Sequence, residues 1–414
     1  MRFKARLAAL LLLLTFLTGV AFIQLFASVG GNSPRWFPVV GLSPTRRPTR
    51  SIHTTPNFFV NLSSSAFALG AVHDERHGNM GGAAVRVLLL ARPAQRFRCR
   101  FANGTVVESG KPYEMAENHG RSFGVFFANC PIPLNETVDD TIEVMTTNVG
   151  ASWSDVPIIY NALESIEESS YEHDLTVCLP FLYGNRYSGK EFVEFIELNR
   201  ILGVQHFVAY VGETDIAKSL KKAASYYENL GILTLNRLEI PVSPSRIWYH
   251  GQLIAITDCL YRNIGVSRFV AFHDLDEFMI PQNLTSTEGL APVIDALQEL
   301  FLDNVASICL TTQYMIPRHK GELRTLYNTV AAQRVSTKLS KCVVRPEMVF
   351  EQGIHHTSRV IQNHFKSIHG DPNVLRLYHF KQTTDYHKED TTVVVNYGER
   401  LTRRYKEVVK KIGL

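Results

Sequence analysis

The segment Ser267–Asn283, SRFVAFHDLDEFMIPQN, carries three carboxylates in four residues: Asp274, Asp276 and Glu277. They follow an apolar run, Phe269–Phe272, that reads as a buried strand. Like charges this close repel, and a bound cation relieves the repulsion. On an extended backbone alternate side chains share a face, so Asp-x-Asp would aim two hard oxygen donors one way. Such donors suit Mg2+ or Mn2+, whose shell is commonly completed by water and substrate phosphate. A solitary Asp-x-Asp is more often a helix cap or a solvated turn. Its position decides between the readings here.

The elements around it alternate. DLTVCLPFL, from Asp174, reads as a strand. Ser188 then opens a helix, with Glu191 three residues on as a capping box. Phe192, Phe195, Ile196 and Leu202 give that helix its apolar face, and Gly203 stops it. VQHFVAYV is a second strand. Ile216, Leu220, Ala223, Tyr227 and Leu230 follow at helical spacing and end at Gly231. ILTL is a short third strand, a helix runs from about Ser245 to Asn263, and RFVAFH is the fourth strand. Continuously apolar strands between helices predict an α/β domain: a mostly parallel sheet with helices on both faces. Ligands bind beyond the carboxyl ends of such strands, where the three acids fall. A haloacid-dehalogenase-type phosphatase also uses DxD, but on its first strand and with a small residue where Glu277 stands. A nucleotide-sugar transferase fits a fourth strand better.

The rest of the chain suggests where this domain works. Of 414 residues, 45% are hydrophobic and 20% charged, and the net charge of +4 is too mild to argue for nucleic acid. Arg2, Lys4 and Arg6 precede an uncharged apolar run, Leu7–Val29. About 20 apolar residues span a bilayer, and the basic flank keeps the amino end cytosolic. The expected order is a cytosolic tail (1–6), a transmembrane signal anchor (7–29), a Pro/Ser/Thr/Arg-rich stem (30–56), a β-rich accessory domain (57–161), a catalytic domain (174–390) and a basic C-terminal helix (391–414). Four Asn-x-Ser/Thr acceptors, at Asn61, Asn103, Asn135 and Asn283, fit a glycosylating compartment. Six cysteines and no CxxC fit disulfides better than zinc. Cys99 and Cys130 both lie in the β-rich stretch, where a bridge would staple it.

Five blocks carry a family resemblance: VCLPFLYG, WYHGQLIAITDCLYRN, FVAFHDLDEFMIP, KCVVRPEMVFEQGIHH and LRLYHFK. Together they resemble glycosyltransferase family 92 over roughly Asp174 to Lys381. The resemblance implies a GT-A fold and a Golgi membrane enzyme, single-pass and type II, with its catalytic domain lumenal. It also implies Mn2+ (or Mg2+) as cofactor, a UDP-sugar donor, and transfer of galactose with inversion to a glycan on glycoprotein, glycolipid or polysaccharide. Carried over by residue, Asp276 and His379 would hold the metal, with Asp274 on the metal or the donor ribose. His250 and Gln252 would line the donor pocket, and Lys341 and Arg345 would face the diphosphate. His355 and His356 rival His379. For the general base, Glu351 is the first choice over Glu347 and Asp371. Cys178 and Cys259 both lie in family-like blocks, which suggests a bridge there, and Cys309–Cys342 would be the third, while spacing alone leaves the connectivity open. A lumenal binding protein without turnover is the reading from another class.

Overall fold

The computed structural model describes residues 58–79, 82–162, 171–282, 291–319, 322–383, 385 and 387–414. The expected tail, anchor, stem and Asn283 acceptor lie outside these residues. Among the described residues no helix is long and apolar enough to cross a membrane. The other three acceptors, Asn61, Asn103 and Asn135, are exposed.

The N-terminal half is a nine-stranded, largely antiparallel sheet. Its strands Ala84–Ala91 and Gly124–Pro131 are apolar on both sides and covered on both. Ala68, Val85, Val87, Leu89, Phe126 and Ala128 fill the half's own core. Leu69, Val72, Leu88 and Phe127 point the other way, into a core shared with Tyr210, Ile254, Tyr261, Val270 and Phe350. The β-rich segment therefore shares a core with the C-terminal half. Polar groups cross the same boundary. Asp74, buried, accepts from Arg76 Nε (2.9 Å) and Arg86 Nε (2.8 Å). Arg76 Nη1 donates on to the carbonyls of Pro346, Glu347 and Val349, at 3.2, 3.2 and 3.0 Å.

In the C-terminal half we label β1 (His173–Gly184), α1 (Gly189–Leu202), β2 (His206–Ile216), α2 (Lys218–Asn229), β3 (Leu233–Arg237), α3 (Gln252–Arg262), β4 (Ser267–Phe272), β5 (Glu277–Pro281), β6 (Val305–Met315), β7 (Ser336–Val344), β8 (Val349–Gln352), β9 (Leu375–Phe380) and α4 (Thr392–Ile412). The capping box at Ser188 forms with Glu191, and Gly203 closes α1 in the left-handed region at φ 109°. β1 pairs in parallel with β2 and β4, and β2 with β3, giving the order β3-β2-β1-β4. Beyond β4 the expected parallel sheet turns mixed. β7 runs antiparallel to β4 and β6, and β5 antiparallel to β9, which itself lies parallel to β6.

The third helix starts later than the pattern suggested. Residues 248–251 form a tight turn with Tyr249, His250 and Gly251 all at positive φ (44°, 55° and 86°), and α3 begins at Gln252. The C-terminal helix is more than a basic face. α4 buries Val393, Tyr397, Leu401, Tyr405, Val408 and Ile412 in the main core, and Arg404 Nε donates to Glu197 at 2.8 Å. Three disulfides are made: Cys99–Cys130, Cys178–Cys259 between β1 and α3, and Cys309–Cys342 between β6 and β7.

Candidate active site

The strand order reverses between β1 and β4. At such a switch point the loops diverge and leave a crevice beyond the carboxyl ends. The acids stand there, but not on extended backbone. Residues 274–277 close a turn, with Glu277 N–H donating to the Asp274 carbonyl (3.1 Å) and Asp274 N–H donating to Glu277 Oε2 (2.7 Å). The turn sends the two aspartates to different partners instead of one point.

Asp274 faces Lys341, with Oδ2 at 3.3 Å from Nζ. β4 pairs Ala271 with Val343, so two residues further on β7 reaches Lys341 beside the exit of β4. Its ammonium is also 3.9 Å from Glu277 Oε2 and is 4% exposed. Burial would raise the Asp274 carboxyl, but Lys341, with help from His379 and His273, holds it below the usual carboxylate range. Burial pushes the Glu277 carboxyl up, and the charges of Asp274 and Asp276 add to this against the opposing pull of Lys341.

Asp276 faces His379. Register explains how a residue a hundred positions later arrives: β5 pairs with β9 so that Glu277 lies opposite His379. His379 Nε2 is 3.9 Å from Asp276 Oδ2, and Nδ1 is 3.3 Å from Glu277 Oε1. Burial holds this imidazole below its ordinary value, hence neutral at pH 7, as a metal ligand must be. Glu277 Oε1 is the carboxylate oxygen beside Nδ1, which has no hydrogen-bond partner among the described residues, and Nε2 is the nitrogen turned toward Asp276. Among the described residues no three His, Cys, Asp or Glu side chains converge as a ready metal cage. Two protein donors suit an ion that keeps water and takes phosphate oxygens. The residues present thus fit Mg2+ or Mn2+ through Asp276 and His379.

Beside the acids lies a narrow cleft lined by Tyr183, Arg186, Tyr187, Tyr249, Gln252 and Asp274. Tyr183 stacks on His250 with ring centroids 3.8 Å apart. Burial, with the charges of Asp276 and Asp274, pushes the Tyr187 phenol up, which marks how near it stands to both. Tyr249 is 48% exposed. Tyr183, Arg186 and Tyr187 escaped the sequence reading. Their signal was the aromatic loop YGNRYSG at the carboxyl end of the first strand.

Other candidates stand elsewhere. Arg345 lies past the end of β7 and donates through Nη1 to the carbonyls of Leu302 (3.0 Å) and Asp303 (3.2 Å). Glu351 is 2% exposed and accepts from the Tyr113 hydroxyl and from Ala116 N–H (2.7 Å), so its carboxylate braces the two halves together. Glu347 takes the Tyr171 hydroxyl at 3.1 Å. Asp371 accepts from Asn373 N–H at 2.8 Å. His355 turns onto the Ser340 carbonyl (3.1 Å), and His356 lies 3.8 Å from Glu117.

A family model described as "Glycosyltransferase family 92" matches residues 173–411. The chain belongs to that family. The match runs through α4, beyond the Asp174–Lys381 span of the motif resemblance. The chain is 35% identical over 360 residues to the beta-1,4-galactosyltransferase galt-1 of Caenorhabditis elegans, covering 86% of this chain and 83% of that protein. It is 22% identical over 338 residues to the galactan beta-1,4-galactosyltransferase GALS2 of Arabidopsis thaliana, covering 74% and 62%. Among solved structures, S. aureus TarS 1-349 aligns over 57% of this chain and 65% of its own, at 11% identity and a TM-score of 0.23. This family 92 chain is a glycosyltransferase, and its substrates are therefore a nucleotide-sugar donor and a glycan acceptor.

Proposed function

We propose that the chain transfers galactose from UDP-galactose to a glycan with inversion, using Mn2+ or Mg2+ held by Asp276 and His379. The observation that carries this reading is the facing pair Asp276–His379, backed by Glu277, at the switch point of the sheet. The names of galt-1 and GALS2 favour galactose as the sugar. The bound ion would stabilise charge on the departing diphosphate. Lys341 adds a buried positive charge beside Asp274 that would share with the ion in stabilising charge on the leaving group. Tyr183 and His250 offer ring faces to a nucleoside, and Gln252 offers an amide. The part of the chain before residue 58 fits a type II anchor, with the enzyme in the Golgi lumen.

The test is Asp276→Asn, which keeps shape and removes charge. Initial-rate transfer from UDP-galactose should fall by on the order of 10²-fold, roughly 3 kcal/mol of transition-state stabilisation, with the melting temperature retained. EDTA should abolish transfer by the parent, and Mn2+ should restore it. Near-parental rates in the variant, or full activity in EDTA, would overturn the reading.

A further inference from the structure

A second cavity, of about 710 Å3, opens in the N-terminal half between residues 91–97 and the segment 111–114. That volume is in the range of ligand sites. Its lining carries Arg92, Arg96 and Lys111 against one acid, Glu114. All three cations are exposed, and among the described residues none of them pairs with a carboxylate. Scattered surface cations are ordinary. These three gather around a concavity whose floor is fixed.

Phe126, 5% exposed, belongs to the core beneath. Tyr113 is tied by its hydroxyl to Glu351 of β8, so this wall is held by the catalytic half. Asn129 already accepts from Arg86 Nη1 through Oδ1 (2.7 Å), which leaves its NH2 to donate. Arg92 also lies over the Phe123 ring at 5.5 Å, and Arg246 lies over the same ring at 4.7 Å. Arg246 ends the turn that leads directly into Tyr249, itself on the wall of the acid cleft. The basic lining is thus joined, through one aromatic ring, to the element that shapes the transfer site.

We infer that this cavity is an anchoring subsite for an anionic saccharide, sulfated or carboxylated, on the acceptor side of the reaction. An anion there would take charge-assisted hydrogen bonds from several donors at once. A neutral sugar would leave the cations uncompensated. Calling the ligand an acceptor rests on the transferase reading, but its binding does not require turnover or metal.

The experiment is calorimetric titration of the full chain, in EDTA, with three hexasaccharides: chondroitin sulfate, oligogalacturonate and a neutral galactan. At least one anionic sugar should bind, and more weakly as salt rises. Arg96→Gln with Lys111→Gln should weaken that binding by about 10-fold or more, with transfer to a neutral acceptor unchanged. Chondroitin sulfate carries both groups, so binding of it without oligogalacturonate assigns the sulfate, and binding of oligogalacturonate assigns the carboxylate. Three results would overturn the inference: equal binding of the neutral sugar, undiminished binding by the double variant, or capture by phosphatidylserine vesicles with no saccharide bound. Asp276→Asn should bind the anionic sugar as the parent does, so failure of the metal mechanism and failure of this subsite are read separately.

Discussion

At the scale of single residues, the site divides its labour by a turn. Had Asp274 and Asp276 stayed on extended backbone, both would face one cation. The bend gives Asp274 to Lys341 and leaves Asp276 with His379. Glu277 touches both arrangements, being 3.9 Å from Lys341 Nζ and 3.3 Å from His379 Nδ1. With a metal held as proposed, its part would be to hold the histidine ring. Glu277→Gln keeps the size and the oxygen that receives Asp274 N–H, but replaces the carboxyl behind Nδ1 with an amide. Affinity for Mn2+, followed by paramagnetic resonance without donor, is expected to fall about 10- to 100-fold. Parental affinity in that variant would mean that Glu277 serves only as a counter-charge to Lys341.

At the scale of elements, what could be read from sequence was local. The capping box at Ser188, the stop at Gly203 and the acids after the fourth strand need only neighbours in the chain, and the fold has all three. The mixed half of the sheet needs β4 to find β7 and β5 to find β9, pairings across roughly seventy and roughly a hundred residues that no periodicity records. The same limit hid Glu351, whose carboxylate looks catalytic in a motif and is claimed by Tyr113 from 238 residues away. It hid the turn at Tyr249–Gly251 as well, since apolar spacing continues through it. The opposite end of the sheet has its own chemistry. His173 and His206, the first residues of β1 and β2, stack at 4.7 Å with planes 1° apart. Burial lowers His206 to about 4 and lowers His173 too. An unfolded chain takes up these protons near pH 6.5. Between that pH and about 4 the unfolded state therefore binds more protons, and stability falls as pH falls. Melting temperature followed from pH 7.5 to 4.5 should drop less steeply in His206→Gln. An identical slope would remove the pair from the acid response.

At the scale of the whole molecule, the two halves share one core and are expected to fold together. Arg76, 3% exposed, ends on three carbonyls of the catalytic half. Arg76→Ala leaves those carbonyls unsatisfied and Asp74 short of a partner, a loss of about 3–5 kcal/mol for a broken buried network. A chain starting at Phe58 should fold and turn over, whereas one starting at Tyr171 should not fold. Circular dichroism and melting curves decide both, and a cooperative transition in the shorter chain would show that the catalytic half stands alone. The contact from Arg76 to Val349 spans 273 residues, which gives the shared core a history during synthesis. At about 5–20 residues per second, a ribosome needs roughly 14–55 s between making the first partner and the second. Throughout that interval Leu69, Val72, Leu88 and Phe127 have only part of their cover, so the nascent N-terminal sheet is a client for chaperones before it is part of an enzyme.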